Sequence, residues 1–245
     1  MAAITTLLQA LNTLHHALPY RQNVGSIDIG SIASFEPMGV RATGWRLVSI
    51  FERIVAGGLL LLVLPILFLA SVVIVAMSRR SPFVAHQRVG YGGRFIWVVK
   101  LRTMWKGDSG SQSIFVHRLS AAEAPLLAPH RKGVLVTSRF AAFCRRYSVD
   151  ELPQLWQVVV GDMALVGPRP LTQQELHTYY GPDAARVVAA KPGLSGLWQI
   201  SGRSRLSYAQ RRRLDLFLVQ KRSISLYFKI LLTTLPRVLA GKDAW

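Results

Sequence analysis

Residues 148–155 read SVDELPQL, and Asp150 and Glu151 stand side by side in a chain with 12 acidic residues against 30 Lys and Arg. Adjacent carboxylates among arginines suit divalent-metal phosphate chemistry. One carboxylate can hold Mg²⁺ through oxygen while the other attacks phosphorus. Arginine forks bind the nonbridging oxygens in pairs of parallel hydrogen bonds. Arg145 and Arg146 precede the pair and Arg169 follows it in LVGPRP, where Pro168 and Pro170 fix the backbone on either side. A second glycine-rich stretch, KPGLSGLWQISGR at 191–203, adds Trp198, Gln199 and Arg203. The same acidic pair has a plainer reading. Asp150 can cap a new helix, with Pro153 in its first turn where a missing N–H costs little, and S-x-x-E before an apolar run is a common capping pattern.

The elements around the pair must hold it near phosphate. FIWVVKLRTM at 95–104 is apolar and β-branched, and predicts a strand that delivers Lys100 and Arg102 to an edge. The glycines of VGYGGRF just before it predict a hairpin turn. Residues 106–138 are mixed and turn-rich, with a short helix expected near 118–128. From Arg139 the pattern becomes helical and is interrupted near Ser148. No Walker pattern is present, so an ATPase reading has no support.

Charge and composition limit the partners. The 245 residues carry a formal net charge of +18 with 51% hydrophobic residues. So basic a chain needs a polyanion. A nucleic-acid-binding domain of this charge would be polar, so no nucleic-acid partner is expected; basic plus apolar favours an anionic membrane surface. The single cysteine, Cys144, excludes an internal disulfide and a cysteine zinc cluster, and reads as a small buried apolar residue. The first 20 residues hold no Lys or Arg and so lack the charged start of a signal peptide.

Ile54 to Met77 is a run of 24 residues without a charge. As a helix it would be roughly 36 Å long, enough for the hydrocarbon core. Pro65 lies near its middle, and both flanks are basic: Arg41, Arg46 and Arg53 before, Arg79, Arg80, Arg88 and Arg94 after. Basic flanks prefer the cytoplasmic side. A helix broken at Pro65 that enters and leaves by the same leaflet satisfies both ends; a kinked transmembrane span is the alternative. Ile4, Leu7, Leu8, Leu11, Leu14 and Leu18 recur at helical spacing and predict an amphipathic helix, followed by a linker over 19–45. Residues 207–240 mix basic and apolar residues at helical spacing, as an interfacial or a packed C-terminal helix would.

KLRTM, SVDELPQL, GDMALVGPRP and KPGLSGLWQISGR stand in order along the chain. Together they resemble the bacterial sugar transferase family, the monotopic phosphoglycosyl transferases, in their small catalytic form, over about residues 50–239. The resemblance implies transfer of a sugar-1-phosphate from a UDP-sugar to polyprenyl (undecaprenyl) phosphate with release of UMP, the first membrane step of a surface glycan. It implies that Asp150 is the nucleophile, forming an aspartyl-phosphosugar, and that Glu151 holds Mg²⁺. Lys100, Arg145 and Arg169 match family positions near the phosphates. Leu64 stands where the family commonly has serine before the proline, and the loop HRKGVLVTSRF does not match the family pattern.

The expected architecture is therefore α/β, mainly helical: an N-terminal amphipathic helix and linker (1–46), a re-entrant membrane helix (47–78) and a catalytic domain (79–245) with a small β-hairpin or sheet and interfacial C-terminal helices. The expected place is the bacterial inner membrane, with the catalytic domain on the cytoplasmic face. Anionic lipid is an expected partner, and a homodimer is allowed.

Overall fold

The computed structural model describes residues 42–104, 116–119, 138–202 and 206–241. The expected helix over residues 4–18, Arg203 and most of the helix expected near 118–128 lie outside them. The fold is mainly helical with two small sheets, as the patterning predicts.

Helix α1 runs from Ala42 to Ser78 and continues through Pro65, so the expected break is not a break in the helix. Its apolar residues surround the axis, but only one stripe is covered: Val48, Glu52, Ala56, Leu60, Leu64, Leu67, Ala70 and Ile74 are buried at intervals of three and four. The remaining faces expose Leu61, Leu62, Ile66, Phe68, Leu69 and Val72. The stripe belongs to the main core, with Phe83, Ala85 and Val98 of the sheet and Leu155 and Val158 behind the acidic pair. Arg79, in the left-handed region at φ 53°, turns the chain out of the helix.

Strands β1 (Phe83–Val89) and β2 (Phe95–Leu101) form the expected hairpin, with Phe83 opposite Leu101 and Val89 opposite Phe95. Gly92 supplies the positive φ of the connecting turn. Strand β3 (Val116–Leu119) pairs parallel to β1, giving the order β2-β1-β3. It takes up the first two positions of the short helix expected near 118–128; Val116 is β-branched and the β1 edge offers it a partner.

Helix α2 (Arg139–Arg146) ends at Tyr147, and Ser148 adopts the left-handed region at φ 55°. That reversal starts a 3₁₀ turn, Val149–Gln154, which leads into α3 (Leu155–Val160). Asp150 sits inside the turn and Ser148 takes the capping position, so the plainer reading of Asp150 as a helix cap is not met. Buried Gln157 clamps the free edge of β2: its Oε1 accepts from Val99 N–H at 3.1 Å and its Nε2 donates to Trp97 C=O at 2.5 Å.

Strands β4 (Ala164–Val166) and β5 (Gly193–Ser195) pair in parallel. The loop after β4 passes so close to the 191–193 backbone that a Cβ on Gly167 would lie 2.3 Å from Lys191 C=O. A bridge from Val89 to Leu171 ties that loop to the hairpin. Helical turns over 173–183 and α4 (Ala184–Val188) close a second small core around Tyr180, Leu171 and Val187. Helices α5 (Leu197–Ser201), α6 (Tyr208–Gln220) and α7 (Ile224–Ala240) complete the described chain.

Candidate active site

A cavity of about 260 Å³ opens between the hairpin, the 149–154 turn and the two loops that follow β4 and β5. Its lining includes Asp150, Glu151, Lys100, Arg145 and Arg169, so the structure brings these five expected residues together. Alternation along the strands explains part of this. His86 and Arg88 on β1, and Val98 and Lys100 on β2, share one sheet face, with His86 opposite Val98. Arg102, expected beside Lys100, is instead buried, and its Nε donates to Ser81 C=O at 2.7 Å. It joins the end of β2 to the segment leaving α1.

At the floor, Lys100 Nζ meets Glu151 Oε1 at 2.5 Å. The Gln157 clamp fixes β2 against the turn, which sets this pair in place. The Asp150 carboxyl is pushed up to about 6, first by burial and then by the charge of Glu151; Lys100 and Arg145 oppose the shift. Glu151 is thus paired with Lys100 beside the raised carboxyl of Asp150. Arg145 also reaches Met104, its Nη1 3.1 Å from the sulfur. Cys144, the residue before it, is buried as expected, and its thiol is pushed up to about 11 by burial and by Asp150, which removes it as a nucleophile.

The cavity is also lined by Gln154 and Arg211, which the sequence did not single out as site residues, and by Trp198, which it did. Gln154 is 3% exposed and its Nε2 has no hydrogen-bond partner among the described residues. Its place in the same turn as Asp150 was the available signal. Arg211 lines the cavity from α6, one helical turn before buried Asp215. Trp198 contacts both arginines: the guanidinium carbons of Arg169 and Arg211 are 5.1 and 5.2 Å from its ring centre.

Among the described residues no cluster of three or more His, Cys, Asp or Glu side chains forms a protein cage for a metal. Asp150 and Glu151 fit a Mg²⁺ of another kind, one held by one or two carboxylates and completed by substrate phosphate and water.

The sequence of the bacterial sugar transferase family, as a model, matches residues 44–241. The chain belongs to the bacterial sugar transferase family. Among curated relatives, this transferase is 34% identical over 213 residues to the exopolysaccharide production protein ExoY of Rhizobium meliloti, covering 86% of this chain and 93% of the relative. It is 36% identical to the UDP-galactose-lipid carrier transferase of Erwinia amylovora over 80% of this chain but 41% of that longer protein. It is 31% identical to the UDP-glucose:undecaprenyl-phosphate glucose-1-phosphate transferase of Caulobacter vibrioides over 203 residues, 80% of this chain and 71% of the relative.

Proposed function

We propose that this transferase moves a sugar-1-phosphate from a UDP-sugar to polyprenyl phosphate, releasing UMP, at the cytoplasmic face of a bacterial inner membrane. The observation that carries the reading is the cavity floor: Asp150 beside the Lys100–Glu151 pair, with Arg145 and Arg169 in the same lining. The names of the Erwinia and Caulobacter relatives support the donor and acceptor classes. The Asp150 carboxylate attacks the sugar-side phosphorus and forms an aspartyl-phosphosugar. Lys100, Arg145 and Arg169 hold the phosphate oxygens. Mg²⁺ at Glu151 would supply charge neutralisation between the diphosphate and the carboxylates.

Membrane association has its own support. The exposed apolar faces of α1 continue onto α7, where Ile224, Phe228, Leu232, Leu235 and Leu239 are exposed along one side. Phe51 of α1 and Phe228 of α7 meet at 5.7 Å, so the two surfaces join. A contiguous apolar surface flanked by Lys221, Lys229 and Arg237 suits an anionic bilayer.

Enzyme and UDP-sugar without lipid acceptor should release up to one UMP per active site, and the protein should gain the mass of one phosphosugar on Asp150. Asp150→Asn should lose both signals while staying folded, because an amide is a poor nucleophile. Chelation of divalent cations should abolish release. Normal turnover by Asp150→Asn, or product formed with no adduct under rapid quench, would favour direct attack by the lipid phosphate. Full activity in excess chelator would remove the metal from the reading.

A further inference from the structure

A second hollow, of about 20 Å³, shares no lining residue with the catalytic cavity. Trp45 at the start of α1, Lys191 just before β5, and Arg222 and Ser223 at the start of α7 line it, along with Gly167 and Pro168. A space of this size admits the oxygens of one small polar group and excludes a sugar ring or a base.

Two cations share this hollow without a matching anion. Among the described residues no carboxylate lies within salt-bridge reach of Lys191 or Arg222. Glu52 and Asp162 act on Lys191 from further away, against the like charges of Arg53 and Arg222. Glu52 is already engaged by the Leu165 N–H and the Tyr227 hydroxyl. Burial, and after it the charge of Arg53, pushes the Lys191 ammonium down from its ordinary value, and burial does the same to the Arg222 guanidinium. The Arg222 guanidinium carbon stands 3.6 Å from the centre of the Trp45 ring. A π face fixes the guanidinium plane without neutralising it, and leaves its N–H edge for an oxyanion. Ser223 caps α7 by accepting the Leu226 N–H, so the hollow also lies at the positive end of a 17-residue helix. An anion seated there relieves both cations.

The surroundings indicate what carries the anion. The hollow lies where α1 meets α7: a Cβ on Gly44 would stand 3.7 Å from Ile224 Cδ1, and Trp45 faces Tyr227 at 6.3 Å. Exposed Ile50, Phe51, Ile224 and Phe228 begin the apolar surface at this end. Tryptophan and basic side chains at the border of an apolar surface mark the headgroup level of a bilayer. We propose that Lys191, Arg222 and the N-terminus of α7 hold the headgroup phosphate of one anionic phospholipid, with its acyl chains along the exposed faces of α1 and α7. The inference rests on the membrane-association reading. A zwitterionic headgroup would bring its own cation beside two others, which favours an anionic one. The occupant is not a substrate of the transfer, since paired backbone lies on the border of the two spaces. Gly167 N–H donates to Ser195 C=O and Gly193 N–H to Pro168 C=O, each at 2.9 Å. Gly167 and Pro168 line the hollow while Arg169 and Pro170 line the cavity, so a lipid seated here braces the loop that carries Arg169.

The test is native mass spectrometry of the full chain in detergent, titrated with phosphatidylglycerol, phosphatidylcholine, a polyprenyl phosphate or inorganic phosphate. Wild type should retain one phosphatidylglycerol in preference to the other three. Lys191→Gln and Arg222→Gln should each weaken that binding about tenfold, as for one lost charge-assisted contact. Lys229→Gln and Arg237→Gln, at exposed positions further along α7, should leave it unchanged. Arg222→Lys keeps the charge but loses the fork. It should fall between wild type and Arg222→Gln, and with Lys191→Gln it carries the test if Arg222→Gln unfolds. Equal losses in all the glutamine variants would mean diffuse attraction to the surface and overturn the site. Equal retention of phosphatidylcholine, or a preference for polyprenyl or inorganic phosphate, overturns the anionic phospholipid as occupant. A wild type that floats with vesicles of phosphatidylcholine and phosphatidylglycerol, while Lys191→Gln and Arg222→Gln retain phosphatidylglycerol as it does, defeats this inference alone. A wild type that neither floats with those vesicles nor retains any lipid defeats the membrane reading along with it.

Discussion

Asp215 has no exposed surface, accepts a hydrogen bond from Tyr180 and leaves its second oxygen unpartnered. Burial pushes its carboxyl up to about 7, against the opposing pull of the Tyr180 hydroxyl, the Arg169 backbone and the charges of Arg169 and Arg211. An unfolded aspartate titrates near pH 3.9, so between about pH 4 and 7 the folded state binds the extra proton. Stability from this group is therefore full below pH 4, falls as pH rises to 7, and is flat above. Asp215→Asn cannot ionise and should lack that slope. Thermal unfolding of both proteins in detergent should show wild type losing stability relative to the variant across that window, at up to about 1.4 kcal/mol per pH unit. Parallel curves would place the titration elsewhere. At the same scale, the grouping of Asp150, Glu151, Lys100, Arg145 and Arg169 in one cavity was legible because each carries its charge in a compact motif. Arg88, Arg211, Gln154 and Asp215 were not, because their meaning comes from elements that meet only after folding: β1 beside the 167–170 loop, and α6 beneath it.

The strands and helices that place these residues were partly readable. The β1–β2 hairpin follows from alternation and a glycine turn, which are local. The clamp that fixes it is not: Gln157 reaches across 58 residues to Val99. Nor is the role of Glu52, which sits in the apolar helix and accepts from Leu165 N–H and the Tyr227 hydroxyl, both at 2.9 Å. In sequence it is one carboxylate beside a long apolar run; in the fold it joins α1, β4 and α7. Gln157→Ala tests how far the site depends on such a joint. It would remove the acceptor of the buried Val99 N–H, at a cost of about 1–3 kcal/mol if that group is left unsatisfied, and one donor to the Trp97 C=O. The midpoint of thermal unfolding should drop accordingly. In the fraction that stays folded, kcat should fall while the Lys100–Glu151 pair loses its register. Unchanged kcat with lowered stability would make Gln157 a joint of the fold alone.

At the scale of the whole molecule the open matter is how α1 meets a bilayer. Its buried stripe extends from Val48 to Ile74, about 39 Å of helix at 1.5 Å per residue, and is covered by the same body along that length. The first turns dock on α7 through Trp45 and Tyr227, whose ring centres are 6.3 Å apart, and through Glu52. The last turn passes directly into the segment that Arg102 ties to β2. A helix crossing a hydrocarbon core of about 30 Å would carry one end away from that body. We propose that docking at both ends keeps both on one side, with the exposed apolar faces of α1 and α7 left for lipid. The expected break at Pro65 is not needed for this arrangement, so Pro65→Ala should leave the topology unchanged. Cysteines can report it, once buried Cys144 is replaced by alanine. Arg46→Cys and Arg79→Cys, both at exposed positions beyond the two ends of the uncharged run, should resist a membrane-impermeant thiol reagent in intact spheroplasts. Both should react after permeabilisation. Labelling of either one alone before permeabilisation would mean that α1 spans the membrane and that its covered stripe separates from the catalytic body on insertion.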